Sequence, residues 1–71
     1  MNKSERLNDL IYFLNDRNSF NLHELIEKYH ISRSTALRDI QSLEAIGMPI
    51  YSQVGRNGYY GILPNRLLSP I

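Results

Sequence analysis

Residues 31–47 read Ile31-Ser32-Arg33-Ser34-Thr35-Ala36-Leu37-Arg38-Asp39-Ile40-Gln41-Ser42-Leu43-Glu44-Ala45-Ile46-Gly47. Ser32 is a good helix N-cap, because its hydroxyl can accept from the free N–H groups of a first turn. Gly47 suits the left-handed residue that closes many helices, and Pro49 stands just beyond. These signals predict one helix over residues 32–46. At about 100° per residue with Ile40 as origin, Ala36, Leu37, Leu43 and Gly47 fall within about 60° of it, while Ser34, Thr35, Arg38, Gln41, Ser42 and Ala45 cluster opposite. One face is apolar and fit for a core. The other is small and hydrogen-bonding, with Arg38 at its centre.

Two further helices precede this one. Leu7, Leu10, Ile11 and Leu14 recur at i, i+3, i+4 and i+7, with Asn2 or Ser4 available as N-cap and residues 15–19 as a polar stop. The next helix opens at Asn21, with Glu24 three residues on as a capping box and Phe20 and Leu25 in the two positions of a hydrophobic staple. Leu22, Leu25, Ile26 and Tyr29 keep the helical spacing until Tyr29-His30-Ile31 breaks it. After Pro49 the period drops to two. Ile50, Ser52 and Val54 alternate with Tyr51 and Gln53, Gly55-Arg56-Asn57-Gly58 supplies a turn, and residues 59–63 form a return strand. The expected fold is mainly α (α+β): a three-helix winged helix-turn-helix, residues 1–63, ending in a two-stranded β-hairpin wing over residues 50–63. Residues 64–71 hold two prolines and no clear period, so they are expected to be a linker or tail. Leu67, Leu68 and Ile71 have no place in this core, which suggests that the polypeptide continues into something they pack against.

Composition narrows the function. Seventy-one residues suit one domain, stabilised by about 3–5 kcal/mol unless something staples it. No cysteine is present, so disulfides and thiolate metal sites are excluded. The longest apolar run, residues 10–14, falls far short of the ~20 residues that span a bilayer, and no signal peptide opens the chain. A cytoplasmic protein, nucleoid-associated when bound, without membrane contact or cofactor, is the expectation. A net charge of +1 is too small for binding nucleic acid by bulk electrostatics, so placement decides. Residues 1–32 carry Lys3, Arg6, Arg17 and Lys28 against Glu5, Asp9, Asp16, Glu24 and Glu27, a balance of −1. Residues 33–71 carry Arg33, Arg38, Arg56 and Arg66 against Asp39 and Glu44, a balance of +2.

The third helix lies in the basic part. Its short outer side chains let a helix enter a major groove ~12 Å wide, where Arg38 and Gln41 can reach base edges, arginine meeting guanine and glutamine meeting adenine. No acid occurs between Glu27 and Asp39, so the positive end of the helix dipole stays open for a phosphate beside Ser32, Arg33 and Thr35. The candidate DNA-binding residues are Ser32, Arg33, Ser34, Thr35, Arg38, Gln41 and Ser42, with Arg56 and Asn57 at the wing tip aimed at a minor groove or a phosphate. Gly-Arg-Asn-Gly is also a good turn that needs no function. Alternation sets at least one of Tyr51, Tyr59 and Tyr60 against the core, which favours hairpin support over a platform for single strands.

The chain resembles the N-terminal DNA-binding domains of WYL-domain transcriptional regulators, close to the DeoR-type helix-turn-helix. The likeness covers about residues 5–63. Residues 31–40 are similar to that family's Val-Ser-x-x-Thr-x-x-Arg-Asp-Ile/Leu, followed by Leu43, Gly47-Met48-Pro49-Ile50 and Gly58-Tyr59-Tyr60. The resemblance implies that Ser32, Arg33, Ser34, Thr35 and Arg38 face DNA, that the hairpin is the wing, and that a ligand-sensing domain follows. Three departures stand out. His30 replaces a frequent glycine, and it can take a left-handed conformation more readily than most residues but at some cost. Ile26 stands where a small alanine is common, which should spread or repack the two motif helices. Leu37 stands where relatives often place a polar or aromatic residue.

Catalysis and metal binding are poorly served. His23 and His30 are about two turns apart, unlike an i, i+4 zinc pair, and no carboxylate cluster completes a site. Gly55-x-x-Gly58 lacks the Lys and Ser/Thr of a phosphate-binding loop, and no nucleophile, base and orienting acid come together. No enzyme is expected. The expected partner is double-stranded operator DNA, bound by a prokaryotic regulator as a homodimer of the longer protein, with any effector ligand held outside these residues. The rival is a winged helix that binds protein without DNA. Such an interface would favour exposed Tyr, Phe, Met or Leu where this helix has Ser34, Thr35, Arg38 and Ser42.

Overall fold

The structure is a computed structural model that describes residues 1–53 and 58–63. Along the chain run α1 (Lys3–Asn15), β1 (Ser19–Asn21), α2 (Leu22–Tyr29), α3 (Arg33–Ala45), β2 (Ile50–Ser52) and β3 (Tyr59–Ile62).

Local chemistry fixes the helix ends. Of the two caps open to the first helix, Asn2 is used: its Oδ1 accepts from Glu5 N at 2.9 Å, and Glu5 Oε1 accepts from Asn2 N at 3.0 Å. Asn21 and Glu24 repeat this reciprocal box at the start of α2, at 2.9 and 2.8 Å. Helix α2 stops because His30 turns left-handed (φ 54°, ψ 48°), which lets Ile31 N–H donate back to Ile26 C=O at 3.3 Å. Helix α3 stops in the same manner. Gly47 has φ 103°, its N–H donates to Glu44 C=O, and Met48 N–H donates to Leu43 C=O, both at 3.0 Å. Ser32 and Ile46 are therefore caps, and Gly47 is the left-handed residue expected just past the end.

The core is built where the apolar stripes converge. Leu10 and Leu14 of α1, Leu22 and Leu25 of α2, and Ala36, Ile40 and Leu43 of α3 are buried with Phe20 and Ile50. Ile26 and Leu37 pack at its margin, partly buried.

The expected hairpin is present as β2 and β3, paired antiparallel, and the sheet adds a third strand to it. Residues 19–21, read partly as a polar stop, form a third strand, and the antiparallel order is β1-β3-β2. Phe20 lies opposite Tyr60 and its ring stacks on it at 5.4 Å, so Tyr60 is the hairpin tyrosine that faces the core. On the other edge Tyr51 pairs with Gly61. Gln53 N–H donates to Tyr59 C=O at 3.0 Å at the last described rung of the hairpin. Leu22 N–H donates to Gly58 C=O at 2.7 Å, which fastens the hairpin's return to the first residue of α2. Val54 and the turn residues 55–57, together with residues 64–71, lie outside the described residues.

Candidate nucleic-acid interface

Helix α3 is fixed to the core by one side and leaves the opposite side uncovered. Ala36, Asp39, Ile40 and Leu43 are buried, whereas Ser34, Arg38, Gln41 and Ala45 are exposed. Ser32 and Arg33 are exposed at its start, and Thr35 and Ser42 are half-buried. The two half-buried residues stand at i−4 and i+3 from Asp39, on the flank of α3 that turns toward α1.

The first turn is ordered by its own hydroxyls. Ser32 Oγ accepts from Thr35 N at 3.1 Å and donates to Thr35 Oγ1 at 3.0 Å, with Ser34 Oγ 3.2 Å away. No acid occupies this turn. The N-terminal partial positive charge thus meets solvent among three hydroxyls and the Arg33 guanidinium, a setting that attracts anions. Among the described residues neither Arg33 nor Arg38 has an ion-pair or hydrogen-bond partner. By contrast, the α2 carboxylates are engaged: Glu24 accepts from Arg17 at 2.8 Å as well as from Asn21, and Glu27 lies 3.1 Å from His23.

An open cleft of about 230 Å³ lies between Asn21, Leu22, His23, Arg33, Gly58 and Tyr59. It brings the start of α3, the start of α2 and the root of the hairpin to one side of the molecule. Of the nine residues expected to meet DNA, seven lie on α3 or its cap, and Arg56 and Asn57 fall outside the described residues.

Behind the exposed face is a polar arrangement that sequence reading missed. Arg6 of α1 donates from Nε and Nη2 to the two carboxylate oxygens of Asp39, at 2.5 and 3.0 Å. Asp39 is 1% exposed and Arg6 13%. The bond from Asp39 holds the Arg6 guanidinium above its ordinary pKa. Tyr29 Oη donates to Asp9 Oδ2 at 2.6 Å. Burial, and then that bond, pushes the phenol well above the usual tyrosine value. One signal could have revealed Asp39: residues 35, 36, 42 and 43, its neighbours at i±3 and i±4, include no cation, so a carboxylate flanking the core needs a distant partner.

Two helices joined by a short turn, a third packed behind them and a small sheet at the end define a helix-turn-helix domain of the winged kind. The chain matches a family model described as HTH domain over residues 6–60, and it belongs to that family. This membership supports DNA as partner and transcription regulation as setting. Comparison with curated proteins finds no match, and comparison with solved structures finds none. Among the described residues no helix is long and apolar enough to cross a membrane, and no group of His, Cys, Asp or Glu could hold a metal ion.

Proposed function

We propose that this chain is the sequence-specific DNA-binding domain of a prokaryotic transcriptional regulator of the WYL or DeoR-like kind. It sets α3 in the major groove and the hairpin on the adjacent backbone or minor groove. The observation that carries this reading is the exposed side of α3, where Arg38 and Gln41 stand free among small residues while the opposite side holds the core. Such a helix reaches base edges without uncovering apolar surface. Arg33 and the hydroxyls of Ser32, Ser34 and Thr35 take a phosphate at its start, and Ser42 extends the contact along it. Arg56 and Asn57 meet the backbone or minor groove from the hairpin. The regulator binds its operator in the cytoplasm as a homodimer over two half-sites, and an effector held by another domain alters affinity.

The direct test is NMR shift mapping of the chain titrated with random duplex DNA at low salt, since backbone binding needs no operator sequence. Shifts confined to residues 32–42 and 55–58 that fade as salt is added are expected. No shift at the highest DNA concentration would remove DNA as the partner and favour a protein-binding winged helix.

A further inference from the structure

Arg6 and Asp9 stand three residues apart on α1 and so share one of its faces. Each reaches a different helix of the motif. Arg6 forks onto Asp39 in the middle of α3 at 2.5 and 3.0 Å, and Asp9 accepts from Tyr29, the last residue of α2, at 2.6 Å. Among the described residues no buried polar side-chain atom lacks a partner, so the arrangement is fully satisfied.

Stability alone does not account for it. Taking an ion pair out of water costs several kcal/mol per charge, and apolar residues of similar volume commonly serve at least as well. Ala36, Ile40 and Leu43 already bind α3 to the core. What an apolar stripe lacks is direction, because methyl contacts yield to a small roll of the helix about its axis. A guanidinium forked onto both oxygens of a carboxylate resists that roll.

Roll is the variable on which base readout depends. Arg38 is the residue before Asp39 and projects from the exposed side. A side-chain tip roughly 5–6 Å from a helix axis moves by about 2 Å when the helix rolls by about 20°. Hydrogen bonds hold within a window of only about 0.5 Å.

We infer that Arg6 is a positioning residue for sequence readout: through Asp39 it fixes the roll of α3 without touching DNA, while the Asp9–Tyr29 bond ties α2 to the same face of α1. This rests on the DNA-binding reading above, and the test separates the two. Duplexes selected by the unaltered chain from a random pool supply a preferred site, and a scrambled duplex of equal length supplies the reference. The double variant Arg6→Met/Asp39→Leu is expected to melt no lower than the unaltered chain and to bind the scrambled duplex with unchanged Kd and salt slope. Its preference for the selected site falls by roughly tenfold or more, about the worth of one bidentate base contact. An unchanged preference in the folded double variant overturns the inference. If that variant does not fold, Arg6→Lys keeps the charge without the fork and loses roughly threefold or more in preference; an unchanged ratio there overturns it equally. Failure of the unaltered chain to bind any duplex overturns the DNA-binding reading itself, and this inference with it.

Discussion

The ring of Tyr51 lies over the backbone of Gly61, its partner across the β2–β3 ladder, so closely that a Cβ placed on Gly61 would overlap the ring. Gly61 is buried beneath it, although Tyr51 itself is 46% exposed. The ring thus covers the face of the central strand, and the glycine is there to make room for it. Gly61→Ala should drive the ring into solvent, because the overlapping atoms are the free end of the tyrosine. The cost is then the lost cross-strand contact, about 1 kcal/mol or less. The Gly61 Hα protons, shielded by the ring in the native chain, report this directly: Tyr51→Leu should abolish their upfield shift, and an unchanged shift would mean that the ring lies elsewhere.

Arg33 and Arg38 are both exposed and without partners among the described residues, yet they should fail differently. Arg33 stands at the start of α3, where phosphates are met, so Arg33→Ala should weaken binding to all duplexes alike and lower the salt slope by about one. Arg38 stands on the exposed side two turns from the end, so Arg38→Ala should cost about 1–3 kcal/mol on the preferred site and relax preference at one base pair. Titrations of each variant against a preferred and a scrambled duplex at several salt concentrations make the comparison. Equal losses on both duplexes for Arg38→Ala would remove it from base readout.

What was legible in the sequence is what is decided within a few residues. The caps at Asn21 and Ser32, the left-handed His30 and Gly47, and the two sides of α3 all follow from neighbours no more than a turn or so away. What escaped depends on distant partners. Residues 19–21 are too few to display a two-residue period, and they form a strand only because Tyr59, Tyr60 and Gly61 lie alongside. Asp39 reads as one more polar residue of an amphipathic helix until Arg6, 33 positions earlier, is placed against it. Thr35 and Ser42, expected on an open face, are half-buried because they share the flank that carries Asp39.

Tyr29 gives the fold a dependence on alkaline pH. Its neutral phenol is favoured in the folded chain by burial and by the bond it donates to Asp9, so its folded pKa lies above the unfolded value of about 10. A raised folded pKa means that the contribution is complete below the unfolded value and is lost as pH rises beyond it. The urea midpoint should therefore hold up to about pH 9 and fall above about pH 10, and fall less in Tyr29→Phe. Tyrosinate absorbance should show one phenol that ionises only as the native chain unfolds. If Tyr29→Phe retains this late step, another residue is responsible.

The two left-handed helix ends make opposite predictions. Gly47 has φ 103° with nothing within 4 Å of where a Cβ would stand, so Gly47→Ala meets no clash and carries only the conformational penalty, about 1 kcal/mol. His30 already bears such a penalty at φ 54°, and its side chain is exposed. His30→Gly should therefore relieve strain of about 1–2 kcal/mol, partly offset by the greater freedom of glycine in the unfolded chain, for a net gain of about 0.5–1 kcal/mol. Urea unfolding of both variants measures the difference. The turn between α2 and α3 also sets how the exposed side of α3 is presented, so DNA affinity is the second readout. A more stable His30→Gly chain with unaltered affinity would make the histidine a tolerated strain, whereas a more stable chain that binds more weakly would make its side chain part of the DNA-facing surface.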